Sequence, residues 1–474
     1  MRIGQTSVVH FGSQLIASVA GFVATVYIAQ ELGGAVLGSY ALFAAVLIWL
    51  KTGVGAGTQQ TIAKRLSEIG ESGPVLSAAL LVQLFIFIFV SMLVLLFHNW
   101  VDSYLGFQGT GLLIIGLLAL LLFSTVKAIL RGEQKVHLAA VLSPLDRVIR
   151  SGVQLAVVFV GLLGGGIAGL VWGYIAGGAV ASLAGLAMIS SRLRRPTRED
   201  FRNVTSFSRY AWLSGIEERA FSALDTVVLG LFVGANLIGY YEVAWNLASL
   251  LAIFGDSVTK SLFPAISELG SRENRLEAGN LITDGMTYVG LFLIPGLVGV
   301  IFIGEHVLAI YGSEFTSATT VLPLLVLARL IYAYEAQLVT SINALDFPNI
   351  AFRVNLVFVG CNIALNVVLV WLYGWIGAAI ATTVAAAVGL VAAYIALQRL
   401  VSFEIPLSEY LRQWGAAGTM GGVVFFIEST VVAIVPLVIL QALTLVIIGA
   451  AVYFLSLIGL SGQFRETIRD NAPV

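Results

Sequence analysis

Three basic residues, Lys51, Arg219 and Arg329, stand well inside apolar stretches of the chain. A charge at the centre of a bilayer costs at least ~2.5–3.5 kcal/mol, so such residues usually face water, a partner or a cavity. Polar residues recur around them at helical spacing. Glu242, Asn246, Ser249, Asp256 and Lys260, with Ile253 between, follow one another at steps of three and four, along one helix face. Ser214, Glu218, Ser222 and Asp225 make a second stripe, with Glu217 and Arg219 beside it. His10, Gln14, Ser18, Gly21 and Thr25 make a third, and Arg329, Tyr332, Ala336, Thr340 and Asn343 a fourth. Asn355, Asn362 and Asn366 share another helix, and Lys51 shares a face with Tyr40, Leu47 and Thr58. The pattern predicts a water-filled cavity through which a polar molecule is bound and passed. The acids and His10 could couple that passage to Na⁺ or H⁺, or only balance charge. Local pairing is the competing reading, with Asp256 and Lys260 four residues apart on a helix.

Catalytic chemistry finds little support. The single Cys361 excludes an internal disulfide and any multi-cysteine metal site, and the four histidines have no ligand spacing, so no metal is expected. No GxxxxGK[ST] motif is present for ATP hydrolysis, and no DxD pair for a sugar nucleotide. A net charge of −1 offers nucleic acid no basic footprint.

The elements that position these residues follow from composition. The 474 residues are 59% hydrophobic and 11% charged, against roughly 25% charged in a soluble domain. Mean hydropathy is +0.97. The chain is therefore read as a multi-pass protein of the cytoplasmic membrane, surrounded by membrane lipids. Basic residues are absent from 3–50, 66–126, 151–191, 220–259, 276–328, 354–398 and 413–464. Each gap has room for two crossings of ~20 residues, which predicts fourteen helices at 7–29, 36–60, 75–97, 110–130, 147–163, 167–190, 208–233, 237–263, 281–303, 319–344, 350–373, 375–398, 410–432 and 434–459. Acidic turns at Glu31, Asp102, Glu305 and Glu314 alternate with basic loops, which places both termini in the cytoplasm. The third, sixth and fourteenth spans, nearly uncharged, are expected to face lipid.

The chain repeats at a spacing of about 200 residues. Leu32-Gly-Gly-Ala-Val-Leu-Gly38-Ser-Tyr40 recurs as Phe232-Val-Gly-Ala-Asn-Leu-Ile-Gly239-Tyr-Tyr241, and Gly165-Gly-Ile-Ala-Gly-Leu aligns with Gly374-Trp-Ile-Gly-Ala-Ala. Six spans per repeat give both halves the same orientation, a parallel repeat about the membrane normal. The expected organisation is an all-α protein: a first lobe at 1–191, a cytoplasmic linker at 192–207, a second lobe at 208–400, and two extra helices with a cytoplasmic tail at 401–474.

The run from Ser222-Ala-Leu-Asp225 through Gly239 to Trp245-Asn-Leu, the segment Leu262-Phe-Pro264-Ala-Ile-Ser-Glu-Leu and the run Leu369-Val-Trp-Leu-Tyr-Gly-Trp-Ile-Gly-Ala-Ala together resemble the Wzx-type polysaccharide flippases. These belong to the multidrug/oligosaccharidyl-lipid/polysaccharide exporter superfamily. The resemblance covers about residues 5–400. It implies fourteen helices, two lobes forming a V, and alternating-access transport of a lipid-linked oligosaccharide, with a glycan polymerase or glycosyltransferases as partners. No bond is broken, so this reading requires neither catalytic residue nor cofactor. Arg suits the diphosphate of such a substrate by bidentate hydrogen bonds and Lys by point charge, which assigns Lys51, Arg219 and Arg329 to the substrate; Asn, Ser and Thr suit sugar hydroxyls. One departure stands out. Such flippases commonly carry Arg before Leu-Gly, where this chain reads Gln30-Glu31-Leu32-Gly33, so a basic contact is missing there or supplied by Lys51. A peptidoglycan-precursor flippase stays open. A multidrug cation antiporter is disfavoured by the lack of mid-span acids in the first four spans, and a membrane glycosyltransferase or polymerase by the short outer turns.

The topology is directly testable. In a Cys361-free background, Gly34→Cys, Gln108→Cys, Gly312→Cys and Tyr373→Cys should react with an impermeant thiol reagent on intact cells. Ser72→Cys, Ser206→Cys and Ser271→Cys should react only after permeabilisation. Outside labelling at position 206 would overturn the orientation and the even-numbered repeat together.

Overall fold

The computed structural model describes residues 3–68, 73–161, 166–213, 216–272 and 274–471, with side chains described except at 3–20, 207, 209–213, 216–220, 468, 470 and 471. The described elements are helices: α1 (Ile3–Ser67), α2 (Gly73–Leu96), α3 (His98–Leu105), α4 (Thr110–Gly132), α5 (Val136–Val160), α6 (Ile167–Leu186), α7 (Arg198–Leu213), α8 (Ile216–Phe232), α9 (Ala235–Ser271), α10 (Arg275–Val289), α11 (Leu293–Ala309), α12 (Val321–Ala344), α13 (Pro348–Gln398), α14 (Leu407–Ile434), α15 (Val438–Leu460) and α16 (Gly462–Asn471). A 3-10 turn at Ser313–Thr320 precedes α12. Among the described residues, ten helical segments are long and apolar enough to cross a membrane. This is an all-helical, multi-pass membrane protein.

Two predicted spans merge into each of α1 and α13, and a glycine marks each join. Gly33 (φ 75°) and Gly374 (φ 59°) take left-handed backbone conformations, which a Cβ disfavours. Elsewhere the sequence reading needs correction. The fifth span, placed at 147–163, begins eleven residues earlier at Val136 and carries Pro144 inside it. Asp146, Arg147 and Arg150 therefore sit mid-helix rather than at a loop. The predicted span 281–303 is two helices, α10 and α11, parted at Gly290–Phe292. The sixth span does not face lipid along its length: α6 buries Gly169, Gly173, Gly177 and Ala181. The lipid-facing reading does fit α2, whose Leu84, Phe85, Ile88, Phe89 and Met92 are exposed, and α15 with exposed Leu443, Ile447 and Leu455.

By contacts the chain divides into two compact units, 1–239 and 240–474, the boundary falling inside α9. In the first unit α1 packs against α2, α4, α5 and α7. Gly38 of α1 and Gly239 of α9 form a backbone-to-backbone crossing. A Cβ on Gly38 would lie 1.7 Å from the Ala235 carbonyl oxygen, and one on Gly239 would lie 2.1 Å from that of Gly34. These are the glycines of the internal repeat, in small-xxx-small spacing, which lets helices approach closely where lipid supplies no hydrophobic drive. A buried amide bridges three helices: Gln83 Nε2 donates to Thr125 Oγ1 at 2.9 Å, while Gln83 Oε1 accepts from Thr58 Oγ1 at 3.1 Å.

Both turns flanking α4 are held by a carboxylate. Asp102 accepts from the Gly109 and Thr110 backbone N–H groups and the Thr110 hydroxyl at 2.7–2.9 Å, capping α4. Desolvation pushes this carboxyl up, but the Thr110 and Gly109 hydrogen bonds outweigh it and hold it below its ordinary value. Glu133 likewise accepts from Ser190 and Ser191 N–H and pairs with Lys135 at 2.7 Å, binding the α4–α5 turn to the end of α6. Desolvation again raises its carboxyl, and the Lys135 and Ser190–Ser191 contacts bring it net below the usual range.

In the second unit α12 packs along α13, and Ile282, Leu338, Ile342, Ala393 and Leu397 form the core near one end. The amphipathic α16 is anchored there by Phe464 stacked on Phe454 at 6.3 Å, and by a 2.6 Å hydrogen bond between the Tyr288 and Thr467 hydroxyls.

The crossing glycines should tolerate no side chain. Gly38→Ala and Gly239→Ala should each destabilise by at least ~1–3 kcal/mol through overpacking, read as a lower melting temperature of the detergent-purified protein. Gly53→Ala, where a Cβ meets nothing within 4 Å, is the control and should melt no lower than the parent. Equal melting of all four proteins would refute the crossing.

Candidate functional site

Among the described residues, each unit holds an arginine laid on an aromatic ring. In the first unit this is Arg150. Its guanidinium carbon lies 3.7 Å from the centroid of Tyr174, and its Nη2 donates to Asp146 Oδ2 at 2.6 Å. Gln154, one turn further along α5, donates through Nε2 to the Tyr40 hydroxyl at 2.8 Å and to the Leu170 carbonyl at 2.9 Å. Asp146, Arg150 and Gln154 thus form an i, i+4, i+8 stripe along the seam with α6. Glycines of α6 at the same spacing make that seam narrow: a Cβ on Gly169 would lie 2.1 Å from Val157 Cγ1, on Gly173 2.4 Å from Gln154 Cγ, and on Gly177 2.6 Å from the Asp146 carbonyl oxygen. Asp146 is 7% exposed, and its Oδ1 has no hydrogen-bond partner among the described residues. Arg147, on the adjoining face, is exposed and places its Cδ 3.9 Å from the Cβ position of Gly21 on α1.

In the second unit the arginine is Arg329 of α12, half-buried. Its guanidinium carbon lies 4.4 Å from the ring centroid of Trp245, and Nη2 donates to Ser249 Oγ at 2.5 Å. Ring stacking occupies one face of a guanidinium and leaves its in-plane N–H edge available for oxygen acceptors. The site is therefore suited to holding an anion by hydrogen bonds rather than to bond-making chemistry.

The predicted stripes meet this geometry unevenly. Arg329 and Ser249 come together, and Asn246 Nδ2 contacts Glu242 Oε1 at 3.4 Å on the same α9 face. Asp256, further along α9, is exposed. Asn362 turns away from that group: it is fully buried and donates to Thr382 Oγ1 at 3.3 Å, within α13. Asn355 and Lys51 are half-buried, as is Ser222, while Asp225 is buried in α8. His10, Gln14, Ser214, Glu218 and Arg219 lie outside the described side chains. The Asp146–Arg150–Gln154 stripe was not predicted. Its i, i+4, i+8 spacing, matched by Gly169, Gly173 and Gly177, is the sequence signal that marks it. Among the described residues, no group of three or more His, Cys, Asp or Glu is placed to hold a metal ion.

The chain is similar to known proteins in sequence and in fold. The profile of the polysaccharide biosynthesis protein family matches residues 3–270. A probable flippase, AglR, of Haloferax volcanii is 32% identical over 99% of this chain and 98% of its own length. A probable low-salt glycan biosynthesis flippase, Agl15, of the same organism is 27% identical over 91% of each chain. Among solved structures, the lipid II flippase MurJ in an inward closed conformation superposes with a TM-score of 0.82 at 17% identity, over 97% of this chain and 100% of that one. A multidrug resistance MATE family transporter gives 0.64 at 16% identity, over 81% and 95%. These relatives are flippases and transporters rather than enzymes.

The Asp146–Arg150 pair can be weighed by mutation. Breaking a buried pair from one side typically costs ~3–5 kcal/mol because a charge is left uncompensated. Asp146→Ala should therefore lower the melting temperature and abundance sharply, and Asp146→Leu combined with Arg150→Met should recover most of the loss. A double variant no more stable than Asp146→Ala would show that the pair is not the relevant unit.

Proposed function

Since the chain belongs to the Wzx-like flippase family of polysaccharide biosynthesis proteins, within the multidrug/oligosaccharidyl-lipid/polysaccharide exporter superfamily, we propose that it flips a polyprenyl-diphosphate-linked oligosaccharide across the cytoplasmic membrane by alternating access. The observation that carries this reading is Arg329, held over Trp245 and against Ser249 inside a segment long and apolar enough to cross a membrane. A diphosphate and its sugars must cross ~30 Å of hydrocarbon. Fixed guanidinium and hydroxyl groups replace the water such a headgroup loses, and no covalent step is required. Arg329 takes the diphosphate oxygens by hydrogen bonds from its guanidinium. Lys51 and Arg219 supply further cations to the path, and the polar faces carrying Asn246, Ser249 and Ser222 serve the sugar hydroxyls. The termini are assigned to the cytoplasm, the basic 192–207 segment to the linker between the two six-span lobes, and the glycan-assembly enzymes to either side of the reaction.

In a host whose surface glycan depends on this chain, Arg329→Ala should abolish glycan display while protein abundance stays near normal. Arg329→Lys should restore part of it, because charge survives without the bidentate fork. A purely structural Arg329 would make abundance and display fall in step. Full display by Arg329→Ala and Arg219→Ala, singly and combined, would reject the cationic path.

A further inference from the structure

The first unit contains an apolar cavity of about 650 Å³, bounded by α1, α2, α3, α4 and α8. Val46, Trp49 and Leu50 of α1 form one wall, and Val227 and Leu231 of α8 another. Leu93, Phe97 and Trp100 both line it and are exposed, so the cavity is continuous with the apolar outer face of α2. At its margin Trp100 stacks on Tyr104 at 5.4 Å, and the Tyr104 hydroxyl donates to the Val227 carbonyl at 2.5 Å. Such amphipathic rings mark the depth at which a membrane passes from hydrocarbon to headgroups.

We propose that this cavity holds the isoprenoid tail of the lipid-linked substrate, with its phosphate at the level of Lys51. The inference rests on the flippase reading and adds a site for the part of the substrate that reading leaves in bulk lipid. Three observations support it. The lining is apolar and joins the lipid-facing surface, so water has no stabilising partners there and a hydrocarbon chain can enter laterally. Taking a methylene as about the size of a water, ~30 Å³, the volume admits roughly twenty chain carbons. And the cavity wall ends at Leu50, directly before Lys51, whose four-carbon stem can place an ammonium at the rim. An apolar slot beside a cation is complementary to a lipid phosphate rather than to a neutral lipid or a free anion. In a bilayer, tail burial brings no hydrophobic gain, because lipid is as apolar as Leu. Shape and charge must therefore select the occupant, and a methyl-branched chain fills a cavity of rings and branched side chains differently from a straight one.

The test uses the full chain in nanodiscs and a geranylgeranyl phosphate bearing a terminal diazirine, with labelled peptides mapped by mass spectrometry. Label should fall within 46–50 and 93–105. It should be competed by unlabelled geranylgeranyl phosphate and not by octadecyl phosphate. Val46→Phe and Val227→Phe, which fill the cavity from two helices, should each remove most of the labelling, because the added ring occupies the space the chain needs. Lys51→Ala should remove the preference for the phosphate over geranylgeraniol. Label confined to other segments, equal competition by octadecyl phosphate, or undiminished label in filled variants of normal melting temperature would each overturn the proposal. Should one filled variant fail to fold, the other and the competition on the parent protein still decide. The assay involves no transport. An unlabelled cavity together with loss of glycan display in Arg329→Ala sinks the tail site alone, whereas a labelled cavity with full display in the arginine variants sinks the cationic path alone.

Discussion

The seam between α5 and α6 shows what permits charge inside this protein. Gly169, Gly173 and Gly177 remove side chains from one helix face, so the α5 backbone comes close enough for Tyr174 to lie under Arg150 and for Asp146 to be sealed beside it. Close approach matters more here than in water. Helix association in lipid gains nothing from hydrophobic burial and depends on van der Waals packing and hydrogen bonds. Gly38 and Gly239 do for α1 and α9 what the α6 glycines do for α5. The many glycines of the chain, counted at 50, are thus compatible with long helices, since the propensity each loses is offset where it lets two backbones meet.

The two stacked arginines each lie on an aromatic ring and donate to an oxygen beside it. Arg150 has a carboxylate one turn away, and the ion pair is mostly buried. Arg329 donates to a hydroxyl. A carboxylate already in place competes with an incoming phosphate for the same N–H edge. The pairing casts Asp146–Arg150 as an element holding the first unit's geometry. Both guanidiniums gain from the aromatic face beneath them, an interaction that strengthens when desolvated.

Much of the fold was legible in the sequence because hydropathy and basic residues report directly on crossing and on turns. The predicted spans 350–373 and 375–398 match α13 and its break at Gly374 closely. The start of α5 was not legible. Pro144 and the charges at 146, 147 and 150 all read as a helix beginning, yet Pro144 lies inside α5, Asp146 and Arg150 pair with each other one turn apart, and Arg150 rests on Tyr174 of α6. The burial of α6 was hidden for a related reason. A helix of glycine, alanine and aliphatic residues has the same hydropathy whether it faces lipid or another helix, and only the spacing of its glycines distinguishes the two. At the site, periodicity identified the α9 face and Arg329 separately, but their meeting through Ser249 and Trp245 depends on how α9 and α12 pack. Trp245, counted only within a run resembling a family, supplies the surface on which the arginine rests.

An amphiphile sets two demands that a single kind of surface cannot meet. Its headgroup needs hydrogen bonds and opposite charge throughout the crossing, while its tail needs only to avoid water. Along α1 the two requirements fall next to each other: Val46, Trp49 and Leu50 face an apolar cavity, and Lys51 follows in the next position. Successive helix residues point about 100° apart, so neighbours in sequence can serve different surroundings without a loop between them. The tail contributes little net attraction, being equally content in the bilayer. Affinity must then come chiefly from the cation and its hydrogen bonds, and the cavity's part is to fix where the lipid stands while the headgroup is exchanged. Such a division keeps binding reversible. A site that held the tail strongly would retain the lipid on the side where it has to be released, whereas a charge-dominated site lets it go once its cations are turned away.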